Sequence, residues 1–471
     1  MKTLWPHLVL ILISSTLTCS VRADPLPPIG PDKPAAVMTA VTTTAAPPPK
    51  PLFDPRTYGA KADGATYDTV ALQKAIDACA GTGGSVYLAG GHFLSAQLVL
   101  KGGMTFYIEK DAVLLGGIEA ADYPEHMPGK TAAGDNRRSL LFADRADHLV
   151  LDGDGVIDGQ GKSVKMNGRE WLRPSLLRIF SSNDVTVRNL TLKNPRMWTQ
   201  VYSECERLVI DHVTVLAPPV YQNLDGMDIC DSRDVIIRNC NIDSEDDSIC
   251  LKTHGTTGLQ NILVENNTIR CRRANAIKLG TATTGPISGL RILNNTVLFA
   301  QYAGLCIESV DGSSVSDVLV RGLDLMNTGQ PIFIRLARRH VNGPDRSLPA
   351  AGLSGITIER VRALATHNRT RASNSITGIP GARVQNVVIR DSYFEMPGGS
   401  ATIPKSPPEM IADYPQSNLF GNPPGWAFYV RHADGIVFEN VTVSLRKPDA
   451  RSWLVSEDAE VKTTSCRQRT E

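Results

Sequence analysis

The sequence predicts an all-β chain wound as a right-handed parallel β-helix, a solenoid of stacked coils, with a capping helix at its amino-terminal end. Three observations carry this expectation. A short phrase recurs, in which turn residues lead into alternating β-branched residues and often an asparagine. It reads Asn183-Asp-Val-Thr-Val-Arg-Asn189, Arg233-Asp-Val-Ile-Ile-Arg-Asn239 and Gln260-Asn-Ile-Leu-Val-Glu-Asn266, and returns as late as Asp434-Gly-Ile-Val-Phe-Glu-Asn440. Its closing position falls at Asn189, His212, Asn239, Asn266, Asn294 and Gly322, in steps of 23, 27, 27, 28 and 28 residues. Helical periodicity, finally, largely disappears after Gly84. Fixed spacing in this range marks stacked supersecondary units, each needing its neighbours to bury an apolar face. A hairpin sandwich would show shorter, irregular spacing.

Taken in order, residues 1–23 read as a secretion signal. Lys2 supplies the positive start, Leu8 to Leu17 a short apolar run, and Val21-Arg22-Ala23 a cleavage site ending in a small residue. The run is too short for a membrane span, which needs roughly 20 apolar residues. Residues 24–52 read as a linker, since nine of the 29 are proline. The β-helix domain is expected over 53–445. It opens with a turn-rich stretch and an amphipathic helix carrying Leu72, Ala75, Ile76 and Cys79 on one side, ended by Gly81 to Gly84. Longer steps after Gly322 imply loop insertions near residues 337–350 and 396–431, of the kind that wall a groove. Residues 446–471 are left as a tail.

Composition excludes some functions. The chain has 471 residues, with Lys+Arg 49 against Asp+Glu 48, so no charge excess favours nucleic acid or an anionic membrane. Aromatics at 6% offer little for stacking on bases. Eight cysteines follow the signal without a CxxC pair, which argues against zinc. Export permits disulfides, and free buried thiols are the alternative. Asn-x-Thr triplets begin at Asn189, Asn266, Asn294, Asn368 and Asn440. Corner asparagines that tolerate left-handed backbone are the favoured reading, with glycan sites as the alternative.

The acidic residues gather on neighbouring coils. One coil reads Asn223-Leu224-Asp225-Gly226-Met227-Asp228, and the next Ser244-Glu245-Asp246-Asp247-Ser248-Ile249-Cys250-Leu251-Lys252. Asp225 and Asp246 are 21 residues apart, close to one coil. Stacked coils lie about 4.8 Å apart, so these acids become neighbours on one face. Like charges so placed raise a pKa. Glycoside hydrolysis uses such a set: one protonated acid for the leaving oxygen and one carboxylate for water. A calcium site or a solvated acidic turn is the alternative.

On these residues the chain resembles glycoside hydrolase family 28, the polygalacturonase family, over roughly residues 53–445. Family members carry Asn-Thr-Asp, Asp-Asp, Gly-His-Gly and Arg-Ile-Lys on successive coils. Asn223-Leu224-Asp225 matches the first with Leu for Thr, and Asp246-Asp247 matches the second. The resemblance implies Asp246 as general acid, Asp225 and Asp247 activating water, inversion at the anomeric carbon, and no metal or other cofactor. Two motifs depart from the pattern. Ala274-Asn275-Ala276 stands for Gly-His-Gly, and Cys306-Ile307-Glu308 for Arg-Ile-Lys, so the cations that would hold a galacturonate carboxylate are missing.

Strand alternation puts Ile277 and Leu279 inward and Lys278 outward, Leu305 and Ile307 inward and Glu308 outward, and Ile332 and Ile334 inward and Arg335 outward. Lys278, Glu308 and Arg335 are thus expected as a charged column beside the acids, with Lys278 or Arg335 as a replacement clamp or as part of a salt-bridge ladder. Asp225 and Asp247 have inward parity and must sit on the turns opening their strands. Asn223, Lys252 and Asn275 complete the expected substrate contacts. His254, just past Lys252, is read as a solvent-exposed loop histidine, the alternative being a replacement for the missing motif histidine, and Trp171 and Trp198 as sugar-stacking or packing residues. The expected function is an exported hydrolase acting on a pectin-like polysaccharide. The alternatives are a polysaccharide lyase with Lys252 or Lys278 as base, and a non-catalytic carbohydrate-binding β-helix.

Overall fold

Each central coil contributes three short strands that pair in parallel with their equivalents on neighbouring coils, and in later coils they merge into longer strands such as Gly425–Leu445. In the computed structural model the described residues are 45–125, 138–166, 168, 173–339, 352–365 and 372–470. The proposed signal, most of the linker, Trp171, Asn368 and most of the first expected insertion lie outside them. All described residues belong to one unit, Met38–Glu471. The central coils show the plan: Gln200–Ser203, Glu206–Asp211 and Thr214–Leu216, then Met227–Cys230, Arg233–Arg238 and Asn241–Ser244, then Ile249–Thr253, Leu259–Glu265 and Thr268–Cys271. Every third strand pairs, so the three positions build three parallel faces around a common interior.

The recurring phrase explains both the strand and its corners. Val187, Ile210, Ile237, Val264, Ile292 and Val320 stand in register across six coils, and all are buried. Burying each such side chain contributes about 1.5–3 kcal/mol. The closing residue of the phrase is left-handed throughout, with φ 63° at Asn189, 56° at Asn239 and Asn266, and 54° at Asn294. Asparagine tolerates that conformation better than most residues. Where the next coil comes closest, glycine replaces it: a Cβ on Gly322 would sit 2.6 Å from Asn294 Oδ1. The amides of Asn189 and Asn440 donate to Asp152 and Asp391 at 2.8 Å, which is the corner role considered from the sequence.

One step past the corner the side chain points inside. Asn267 and Asn295 are buried there and form a ladder. Asn267 accepts from the Cys240 N–H at 2.9 Å and donates to Ile237 O at 3.2 Å and to Asn295 Oδ1 at 2.9 Å. Asn267→Ala leaves buried backbone groups without partners, and we expect it to cost about 2–3 kcal/mol in urea unfolding.

The amino-terminal end is covered by the helix Thr69–Cys79, which buries Leu72, Ala75, Ile76 and Cys79. At the other end the fold runs further than the sequence suggested. Ser452–Thr464 and Arg467–Thr470 pair in parallel with Gly425–Leu445. This last rung alternates half-buried with exposed residues, so its weak apolar signal reads as a tail. No disulfide joins any of the eight cysteines among the described residues, and seven of them are buried. The second expected insertion appears as a loop over 397–424 between Val384–Met396 and Gly425–Leu445.

Candidate active site

Asp225 and Asp247 each lie two residues before a strand, because Met227–Cys230 and Ile249–Thr253 begin just after them. The Gly226 N–H donates to Asp247 O at 2.9 Å and the Met227 N–H to Ser248 O at 3.0 Å, which stacks Asp225 directly against Asp247. Gly226 permits this approach, since a Cβ there would be 2.4 Å from Ser248 O. The Ser248 N–H donates to Asn275 O at 3.0 Å, so Asn275 is next in the same column. One carboxylate oxygen each of Asp225 and Asp247 and the Cys250 sulfur lie within 4.8 Å of one another.

The three acids differ in environment. Asp246 is partly open to solvent. Its Oδ1 accepts the Asp247 N–H at 2.9 Å, and burial, then the Asp247 charge, raises its pKa above the usual carboxylate value. Asp247 is buried. Burial pushes its pKa upward, but the Lys278 ammonium at 3.1 Å and two donors on Asn275, the backbone N–H at 3.0 Å and the side-chain amide at 2.8 Å, hold it below the usual range. Asp225 is raised well above it, by burial first and then by Asp228 and Asp246, and its Oδ1 has no hydrogen-bond partner. Environments that drive neighbouring acids apart make one a proton donor and the other a carboxylate.

The two lysines are held, not loose. Lys252 Nζ is 2.5 Å from Asp228 Oδ1, 3.7 Å from Asp225 Oδ2 and 3.9 Å from the centre of the Trp198 ring. Both lysines keep pKa values well above normal: burial opposes this, and the adjoining carboxylates, Asp228 for Lys252 and Asp247 for Lys278, overcome it. Asp228 is wholly buried, and burial raises it to about 6 against the pull of Lys252. Sequence reasoning did not single out Asp228. The signal was present, because Met227 and Ile229 point inward and Asp228 lies between them.

The expected charged column is only partly assembled. Glu308 and Arg335 are in register, whereas Lys278 is in register with Cys306. Arg335 faces away from the acids in its bonding: it donates to Gly378 O at 2.9 Å, Glu409 O at 2.7 Å and Met410 O at 3.0 Å. Asn223 is exposed at the rim, where Arg173 Nη2 donates to its Oδ1 at 2.9 Å. Arg273 pairs with the buried Glu245 beside Asp246. His254 is half-buried, with its backbone N–H donating to Asp231 Oδ2 at 2.9 Å and its ring Nδ1 4.0 Å from the same oxygen. A contact that sequence reasoning missed is Tyr414, from the distant 397–424 loop, whose ring centre is 5.5 Å from Lys278 Nζ.

Glu308 is fully buried, and burial raises its pKa from 4.5 to about 7, with Lys278 opposing. The folded chain therefore favours the protonated carboxyl. The stability this gives is complete below about pH 4.5 and is lost as pH rises through about 7. Up to about 3 kcal/mol is at stake. Wild type is expected to lose stability between about pH 4.5 and 7 in urea titrations, and Glu308→Gln to lose markedly less.

Residues 86–402 match the model of Glycosyl hydrolases family 28, and residues 54–116 that of Rhamnogalacturonase A/epimerase, pectate lyase-like. A probable polygalacturonase of Vitis vinifera is 28% identical over 57% of this chain and 59% of its own length. The exopolygalacturonase of Zea mays is 28% identical over 66% of this chain and 74% of its own length. The chain thus spans about three fifths of the length of the first curated relatives it matches. The family 28 exopolygalacturonase structure of Yersinia enterocolitica aligns over 89% of this chain and 78% of that one, with TM-score 0.67 and 19% identity, a likeness of fold. With more than half of its residues matched by one family model, the chain belongs to glycoside hydrolase family 28.

Proposed function

We propose that the protein is an exported glycoside hydrolase that cleaves glycosidic bonds of a pectin-like polysaccharide with inversion. Asp246 protonates the leaving oxygen. Asp247 draws the proton from the attacking water, and Asp225 holds that water from the adjoining coil. No covalent sugar intermediate forms, since water attacks the anomeric carbon as the glycosidic bond breaks. The single observation that carries this reading is the pairing of a raised, partly open Asp246 with a lowered, buried Asp247. Asn223, Asn275, Lys252 and Lys278 line or brace the same spot, and Glu308 lies one coil past Lys278. Export rests on the signal at residues 1–23 and predicts a mature chain beginning near Asp24. Among the described residues, no helix is long and apolar enough to cross a membrane.

The lyase reading is less well supported. It needs an unprotonated amine, and both Lys252 and Lys278 are held protonated by adjacent carboxylates. Calcium takes about six to eight oxygen ligands. The cluster near Asp225 offers two carboxylates and one thiol, with two ammonium groups against the carboxylates. The test is digestion of pectic and neutral polysaccharides with wild type and Asp246→Asn. Reducing ends released by wild type and not by the variant support the proposal. An ultraviolet-absorbing product lost in chelator would favour a lyase, and binding without any release a non-catalytic protein.

A further inference from the structure

One side of this site is stopped by the chain itself. Beyond Lys278 the outward positions Cys306, Glu308, Phe333 and Arg335 are at most 1% exposed. The 397–424 loop folds back over them. Phe420 packs on Phe333 with ring centres 6.4 Å apart, in a small apolar cluster with Ala303 and Cys306 that Met410 and Leu419 close. The loop is fixed by polar contacts as well. Arg335 donates to Glu409 O and Met410 O, and the Arg338 N–H donates to Ile411 O at 3.1 Å. Farther along, Arg431 donates to Pro407 O at 2.7 Å, and Arg431 and His432 both pair with Glu409.

Tyr414 stands at the leading edge of this cover. Its hydroxyl accepts from Thr281 Oγ1 at 2.8 Å, and it keeps half of its surface open. The Lys278 side chain bridges it to Asp247, one rung back, or about 4.8 Å along the coil axis. On the opposite side Trp198 lies one rung before Asp225 and is half-buried. Trp198 also presents its ring to Lys252 Nζ, 3.9 Å from the ring centre. Toward Tyr414 a sugar chain laid along the rungs over Asp246 meets the loop within about one ring. Displacing the loop would strip the buried Arg335 guanidinium of two of its three carbonyl partners.

We propose that Tyr414 and the 397–424 loop form the end wall of a pocket, so that the enzyme acts at chain ends and releases one short product per cut. The inference rests on the hydrolase reading above and deepens it. An internal bond needs sugars bound on both sides of Asp246 for several rungs, and the wall stands within about one sugar ring on the Tyr414 side.

The test takes the polysaccharide from which wild type releases reducing ends fastest and sizes the products through time. A single short product from the first minutes, with polymer length nearly unchanged, is expected. A mixture of long and short fragments from the start overturns the inference and leaves the hydrolase standing. No release from any polysaccharide overturns the hydrolase reading, and the inference with it. Oligomers of that polysaccharide carrying a bulky fluorophore at one end or the other add a second arm. One tag is expected to block cleavage and the other to be tolerated, whereas equal cleavage of both contradicts an end wall. Tyr414→Ala is expected to raise KM by up to about tenfold and lengthen the released product, with Tyr414→Phe restoring most of the loss. Unchanged KM and product length in Tyr414→Ala would remove Tyr414 from the wall.

Discussion

Asp246→Asn is expected to lower kcat by about 10²–10⁴-fold, the usual contribution of a positioned general acid, with KM little changed. The amide is nearly isosteric and cannot donate a proton of comparable acidity. Folding should survive, because the Asp246 side chain accepts from its neighbour's N–H, a bond the amide oxygen of Asn keeps, and is partly solvated. The variant also reports on the pH profile. Wild-type activity should rise with pH as Asp247 loses its proton, below the ordinary carboxylate range. It should fall as Asp246 loses its own, above that range. Asp246→Asn should abolish the falling limb. A variant that retains both activity and that limb places the acid elsewhere.

Lys252→Met is expected to produce the largest loss of stability among the site substitutions, about 3–5 kcal/mol. Its ammonium is the direct partner of Asp228, which is wholly buried, and is 3.7 Å from Asp225. Removing it leaves two carboxylates facing each other in a dry interior. Their mutual repulsion then falls on Asp225, so activity drops as well. The double variant Asp228→Asn/Lys252→Met should recover most of the stability, because the uncompensated charge is gone. Urea denaturation of both single variants and the double variant gives the coupling energy. A loss in Lys252→Met no greater than about 0.5 kcal/mol, typical of a surface change, would show that the pair is not a buried brace.

How much of this was legible in the residues differs from element to element. The coil step was readable because the same apolar row, Val187 through Val320, must repeat to fill one interior. The left-handed corners repeat for a steric reason, which the asparagines and Gly322 record. Spacing and strand parity likewise put Asp225 and Asp247 on turns in adjacent rungs. Arg335 was harder. Parity assigned its direction, but its partners are carbonyls of Glu409 and Met410, more than 70 residues on. The long coil step announced an insertion near 396–431, but no local pattern says which of its residues meet Arg335. Tyr414 was invisible for the same reason. Lys278 and Glu308 share outward parity yet stand in different columns, because register is set by turn length as well as by alternation. Asp228 was overlooked although its parity was plain.

The most direct test of the acid-and-water mechanism is proton NMR of the first sugar released by wild type, recorded before mutarotation, with Asp246→Asn as the blank. The account predicts a product of anomeric configuration opposite to that of the bond cleaved, and negligible release by the variant. A product of retained configuration, or equal release by both proteins, would contradict it.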